Sequence, residues 1–376
     1  MILPGATLGM MGGGQLGRMF VLEALRLGYR VVVFDPAQVS PAGLVSSYHI
    51  CAAYDDTNAL DELIELCDAV TIEFENIPLK SLEYLEQRIS LSPSANSVRI
   101  AQDRLLEKSF FQENALTTPK FAPIHCLEDI PAALKITGTP CIIKTARFGY
   151  DGKGQAVCHD EESVAKAFEQ MDRTACIVEQ KIDLAREVSV IMACGRDGRI
   201  SAFPVAENTH LNGILDTTVV PAALEREQAA QVMDLAKRLA AALDYVGVLA
   251  VELFISTTGE VLVNEIAPRP HNSGHFSQDA TDSSQFEQQL RMMCDLPAAS
   301  TALSRQVVML NLLGDLWAES RPNWQTVFEI PGACLHLYGK HEARPGRKMG
   351  HINLLGDDRD ALLAQARSLK VSLQAS

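Results

Sequence analysis

Two glutamates, Glu252 and Glu265, flank the turn in VGVLAVELFISTTGEVLVNEIA (residues 246–267) and are candidates to share a cation. A four-residue hairpin loop over Ser256 to Gly259 would pair Glu252 with Val263, leaving Glu265 its diagonal neighbour on the same face. Leu249, Val251, Leu253 and Ile255 then form an apolar opposite face, and Asn264 points away from Glu265. Two carboxylates on an otherwise apolar face repel unless a cation bridges them, and hard oxygen ligands suit Mg2+ shared with substrate phosphates. The alternative is a solvated strand face carrying unrelated glutamates.

Lys144 is the next candidate, because it closes the apolar run Cys141, Ile142, Ile143. A lysine there must reach solvent or meet an anion. The loop that follows spaces Gly149, Gly152 and Gly154 around Tyr150, Asp151 and Lys153. Such glycines let backbone N–H groups approach a phosphate, although a tight hairpin uses the same residues. IAPRPHNSGH (266–275) brings Arg269, His271, Asn272 and His275 into one polar loop stiffened by Pro268 and Pro270. Near the C-terminus, Lys340, Arg344, Arg347 and Lys348 are spaced by Pro345 and Gly346, as a dianion clamp or a solvated loop would be.

The elements needed to hold these groups can be read along the chain. Its 376 residues fit two or three domains, and a net charge of −14 opposes nucleic-acid or anionic-membrane binding. Nine scattered cysteines without a CxxC fit reduced thiols in the cytoplasm. No signal peptide or membrane-length apolar run is expected. The first hundred residues alternate strands (TLGMM, VVVFD, AVTIEFE over 69–75) with helices near 15–27 and 57–66, the pattern of a doubly wound parallel sheet. GGGQLG fits G-x-G-x-x-G at Gly12, Gly14 and Gly17, with Asp35 where a dinucleotide's ribose-binding acid would sit. A helix over 99–115, an α+β stretch over about 121–188 with Asp160 capping a helix, and a helix over 226–243 follow.

Lys144, GYDGKGQ, EQKI with Glu187 beyond it, and paired glutamates ending NEIAPRPHNSGH together resemble the ATP-grasp enzymes. More closely, GGGQLGRM, EFENIP, GYDGKGQ, NEIAPRPHNSGH, SQFEQQLR and GRKMGHINLLG resemble the N5-carboxyaminoimidazole ribonucleotide synthetase family over nearly the whole chain. The resemblance implies an α/β and α+β architecture in three parts: a doubly wound unit at 1–98, an ATP-grasp unit at 99–297 with a mobile lid about 121–188, and a small C-terminal unit at 298–376. It also replaces the dinucleotide reading, since GGGQLG in this family faces a phosphoribosyl substrate.

The implied reaction joins bicarbonate to the amine of 5-aminoimidazole ribonucleotide, consuming ATP. By position, the resemblance gives Arg104 and Lys144 the ATP phosphates, with Gly149, Tyr150, Asp151, Gly152, Lys153, Gly154 and Gln155 closing over them. Glu179, Gln180, Lys181 and Ile182 take adenine, Glu187 the ribose, and His210 and Asn264 further nucleotide positions. Glu252 and Glu265 bind Mg2+; Ala267 stands where many ATP-grasp enzymes carry a ligating asparagine. Arg269 and His271, assisted by Tyr150, hold carboxyphosphate and relay a proton. Gln15, Leu16, Glu75, Asp151, Asn272, Lys340 and Arg347 take the aminoimidazole ribonucleotide. The resemblance further implies a homodimer. Other readings are a formate-using glycinamide ribonucleotide transformylase, a biotin carboxylase-like ligase, a non-catalytic nucleotide-binding regulator and an NAD oxidoreductase.

Overall fold

The computed structural model describes residues 1–149, 154–318 and 321–374. Five strands, β1 (Thr7–Met11), β2 (Arg30–Phe34), β3 (Tyr48–Ile50), β4 (Ala69–Ile72) and β5 (Ser90–Ser92), form a parallel sheet ordered β3-β2-β1-β4-β5. Alternate residues enter opposite cores: Val31 and Val33 pack with Phe20 of the helix Gln15–Arg26, and Val32 and Phe34 with Leu60 and Leu63 of Thr57–Leu66. Burial on both faces is what a doubly wound sheet demands, and it explains the unbroken apolar strands.

Two local expectations for this half need correction. The strand expected over 69–75 stops at Ile72, because Glu73 turns back into the glycine loop and accepts bonds from the N–H groups of Gly14 and Gly17, the latter at 2.7 Å. Gly12 has φ 110°, and a Cβ there would lie 2.3 Å from Glu73 Cγ. Gly12→Ala is therefore expected to destabilise the protein by roughly 3 kcal/mol, read as a lower denaturant midpoint; an unchanged midpoint would refute the close approach. The helix expected over 99–115 is two, Ala95–Ala101 and Arg104–Glu113. Asp103 breaks it by capping the second, accepting from Leu105 N at 3.0 Å.

A second sheet holds β6 (Phe121–Ile124), β7 (Cys141–Thr145), β8 (Gln155–Cys158) and β9 (Cys176–Gln180), antiparallel in the order β6-β9-β7-β8. Asp160 caps the helix Glu161–Gln170 beside it, accepting from Ser163 N at 2.8 Å. The third sheet has nine strands: β10 (Leu184–Cys194), β11 (Ile200–Ala202), β12 (Ala206–Leu211), β13 (Ile214–Val220), β14 (Gly247–Ser256), β15 (Val261–Ala267), β16 (Gln306–Leu313), β17 (Ala333–Leu337) and β18 (Lys348–Gly356). Its order is β15-β14-β10-β12-β13-β16-β18-β17, with β11 beside β10. The helix Arg226–Ala242 buries Val232, Leu235 and Leu239 against Leu249, Val251 and Leu253 on one face. The C-terminal strands continue this sheet through the β13–β16 pair rather than forming a sheet of their own.

The β14–β15 register differs from the expectation. Ser256 N donates to Glu260 O at 2.9 Å, so the turn is one residue tighter, and Leu253 pairs with Val263 while Glu252 pairs directly with Glu265. Asn264 is the extra residue of a β-bulge. Helix Arg104–Glu113 holds it there: Lys108 Nζ donates to Asn264 O at 2.7 Å, and the Glu107 carboxylate accepts from Ile266 N at 2.8 Å. The two glutamates are thus directly opposite rather than diagonal, and Asn264 lines the same cavity as Glu265 instead of pointing away.

Candidate active site

A cavity of about 920 Å³ lies where the three sheets meet. Its N-terminal wall sits at the carboxyl ends of β1 and β4, where the strand order reverses and open α/β sheets bind ligands. Gln15 and Leu16, at the start of the first helix, line it. A dinucleotide does not fit this turn. Gly13 N already donates to Asp35 Oδ2 at 2.7 Å, and Gly14 and Gly17 donate to Glu73, so carboxylates fill the place of a pyrophosphate. Among the described residues, the N–H groups of Gln15 and Leu16 have no protein acceptor. Glu75, just beyond β4, meets Arg269 Nε at 2.6 Å.

The centre holds the carboxylate pair. Arg104, first residue of its helix, reaches Glu265 Oε2 at 2.7 Å, and His271 Nε2 lies 3.2 Å from Glu252 Oε1. Burial and the neighbouring Glu265 charge push the Glu252 carboxyl up. Burial acts on Glu265 too, but Arg104 and Lys144 outweigh it and hold that carboxyl down. Burial and Arg269 drive the His271 imidazole well below its ordinary value, so the ring is neutral. The cleft therefore carries a polarised acid pair that an added cation would bring to full ionisation.

Behind it lies a cluster the sequence did not reveal. Glu179 sits between two lysines, 2.5 Å from Lys144 Nζ and 3.1 Å from Lys108 Nζ, with its side chain only 3% exposed. Lys108 is wholly buried and also donates to Thr118 Oγ1 at 3.0 Å. Burial lowers the Lys108 ammonium even as Glu179 supports it. Lys144 opposes Gln155 across β7–β8, which puts both on the cavity wall. Arg104, Glu107, Lys108 and Phe111 share one helix face at i, i+3, i+4 and i+7, the signal that could have found the cluster.

The remaining residues expected to meet a nucleotide are mostly gathered here. Gly149, Gln180, Ile182, Glu187, His210 and Asn264 line the cavity, and His210 Nδ1 lies 2.7 Å from Glu187. Lys181 does not line it: the residue is exposed and its N–H donates to Pro140 O at 3.3 Å. Gly154 closes the β7–β8 turn, its carbonyl accepting from Thr145 N at 2.9 Å. Tyr150, Asp151, Gly152 and Lys153 lie outside the described residues. Opposite, Lys340, Arg344, Arg347 and Lys348 all face the cavity; Lys340 Nζ donates to Lys348 O at 2.7 Å, and an Arg347 N–H to Glu342 O at 2.8 Å. Asn272 between them is buried, with neither amide atom bonded to a described residue.

Three family models cover this architecture: a ribonucleotide synthetase preATP-grasp domain over residues 5–102, an ATP-grasp domain over 109–286, and a phosphoribosylaminoimidazole carboxylase C-terminal domain over 307–365. N5-carboxyaminoimidazole ribonucleotide synthase of Bacillus subtilis is 41% identical over 361 residues, 96% of this chain and 94% of the relative. The chain belongs to the N5-carboxyaminoimidazole ribonucleotide synthetase family. A crystal structure of an ADP complex of an N5-carboxyaminoimidazole ribonucleotide synthetase superposes with a TM-score of 0.94 at 42% identity, covering 98% of this chain and 97% of that one. The Aspergillus clavatus N5-carboxyaminoimidazole synthase in complex with ADP and 5-aminoimidazole ribonucleotide gives 0.91 at 27% identity, covering 99% of each. The family's three-part ATP-grasp architecture is the one seen here. No helix among the described residues is long and apolar enough to cross a membrane.

Proposed function

We propose that this chain is an ATP-dependent ligase that carboxylates 5-aminoimidazole ribonucleotide with bicarbonate, giving N5-carboxyaminoimidazole ribonucleotide, ADP and phosphate in purine biosynthesis. The observation that carries the reading is one cavity joining the Arg104, Lys144, Glu252 and Glu265 centre to the cationic loop of residues 340–348. Bicarbonate is a weak nucleophile and the γ-phosphoryl group is anionic, so the chain's task is to bring anions together. Arg104 and Lys144 serve the phosphates of ATP, and Arg269, braced by Glu75, serves the carboxyphosphate formed from bicarbonate. Its collapse yields CO2 beside the substrate amine, where exclusion of water favours capture. Asn272, with its buried unbonded amide, and Gln15 and Leu16, with open N–H groups, are assigned to the aminoimidazole ribonucleotide.

Glu252 and Glu265 fit a magnesium ion: they are hard donors directly opposite one another, with the buried, unbonded Oδ1 of Asn264 alongside. Among the described residues no group of three or more His, Cys, Asp or Glu side chains is arranged to hold a metal, so phosphate oxygens and water would complete the shell. The ion, when bound, would supply neutralising charge to the phosphates. Nine free thiols support a reducing, cytoplasmic location. Assembly as a homodimer rests on the resemblance alone.

The test is ADP release from Mg2+-ATP and bicarbonate, with and without 5-aminoimidazole ribonucleotide, beside glycinamide ribonucleotide plus formate. Stimulation by the aminoimidazole ribonucleotide only, with loss of its free amine, is expected; stimulation by neither overturns the reading. In the same assay, Lys340→Ala combined with Arg347→Ala should raise the KM for that substrate at least about tenfold and leave the KM for ATP unchanged. An unchanged substrate KM removes the clamp.

A further inference from the structure

Beneath His271 a row of small polar side chains crosses the nine-stranded sheet. Thr218 on β13, Asn208 on β12, Ser189 on β10 and Ser273 in the loop after β15 are all buried. The register sets Asn208 opposite Thr218, and Ser189 opposite Glu252. Thr218 Oγ1 lies 2.9 Å from Asn208 Oδ1, Asn208 Nδ2 3.0 Å from Ser189 Oγ, and Ser189 Oγ 2.7 Å from Ser273 Oγ. Ser273 Oγ ends the row 2.9 Å from His271 Nδ1.

The polarity of this row is set at its downstream end. The backbone N–H of Ser273, which can only donate, points at His271 Nδ1 at 3.3 Å, so that nitrogen is an acceptor. The Ser273 hydroxyl then donates to Nδ1, Ser189 donates to Ser273, the Asn208 amide to Ser189, and Thr218 to the Asn208 carbonyl oxygen. Every member spends its proton toward His271, and no buried hydroxyl in the row is left without an acceptor. A neutral imidazole that accepts at Nδ1 carries its hydrogen on Nε2. That Nε2 is the atom facing Glu252 Oε1 at 3.2 Å.

We infer that Ser273, Ser189 and Asn208 are positioning residues whose one-way row of hydrogen bonds locks His271 in the Nε2–H form. The ring therefore acts on Glu252, and on an anion bound in the cavity, as a hydrogen-bond donor; its Nε2 does not take up a proton. This narrows the proton-relay role expected for His271 and assigns three supporting residues to it. Only the identity of the anion, bicarbonate or carboxyphosphate, rests on the proposed reaction. A row serving only to fill a polar core would satisfy its own members but would not govern the tautomer of His271.

The test uses the whole protein with 15N-labelled histidine. Long-range proton–nitrogen correlation reads the protonation of each ring nitrogen, and the His271 signals are those lost in His271→Gln. A protonated nitrogen at ε2 and an unprotonated one at δ1 are expected. Ser273→Ala removes the hydroxyl donor at 2.9 Å and keeps only the longer backbone N–H at 3.3 Å. It should admit a detectable share of the Nδ1–H form and lower kcat about tenfold with the KM for ATP unchanged, and Ser273→Thr should restore both readouts. A parent ring protonated at Nδ1 overturns the inference, as does a Ser273→Ala protein whose tautomer and kcat match the parent. Should Ser273→Ala fail to fold, the parent spectrum decides alone. That spectrum needs no substrate, so failure of the proposed reaction and failure of the lock are told apart.

Discussion

Glu265→Gln is expected to lower turnover by at least about a hundredfold while the protein stays folded. The amide nearly matches the carboxylate in shape and can still accept the Arg104 bond now made at 2.7 Å, so packing changes little. What disappears is charge. With Glu265 neutral, Glu252 loses the neighbour that helps push its own carboxyl up, and the pair that would neutralise Mg2+ is halved. The KM for magnesium should rise together with the fall in kcat. Far-ultraviolet circular dichroism and the denaturant midpoint check the fold, and a magnesium titration of ADP release checks the site. Turnover near the parent's would mean that the directly opposed glutamates do not hold the ion.

Lys108→Met is expected to destabilise the protein by about 3–5 kcal/mol, the largest loss among single changes considered for the cleft. Lys108 is fully buried, and its ammonium pairs with the Glu179 carboxylate while donating to Thr118 Oγ1 and the carbonyl of the bulged Asn264. Removing it leaves the Glu179 carboxylate with Lys144 alone and frees the bulge that sets Glu265 opposite Glu252. Adding both Glu179→Leu and Lys144→Met to Lys108→Met removes every charge of the cluster and should recover most of the loss. Equilibrium unfolding in urea measures both variants. A single variant as stable as the parent, or a triple variant no better than the single, would show that the lysine pair does not brace this wall.

How far the sequence revealed the site depended on the distance over which each residue acts. Lys144 was legible because a lysine ending an apolar strand has few places to go, and the structure indeed puts it on the cavity wall. Alternation along VLAVELFI gave the correct face for Glu252, yet the register was missed. No local pattern encodes a bulge held by Lys108, which stands 156 positions before Asn264. Lys108 was not singled out, because the helix expected over 99–115 was given no inward face; Leu106 is exposed there while the charged face is buried. EFE after Ile72 reads as more strand, and only the turn-back onto Gly14 and Gly17 shows Glu73 to be a plug for the glycine loop. The doubly wound half was readable throughout because each strand is buried on both faces.

The ladder that runs unbroken from β15 to β17 gives the cleft a measuring edge. The glutamates stand on β14 and β15, and Lys348 opens β18 in the same sheet, so backbone pairing sets the span between the acid pair and the cationic loop. A pleated ladder cannot stretch to suit a longer or shorter compound. Discrimination among phosphorylated amines can thus be made by length, against a fixed scale. The opposite wall is not tied to that scale, because β7 and β8 carry Lys144 and Gln155 on a separate sheet.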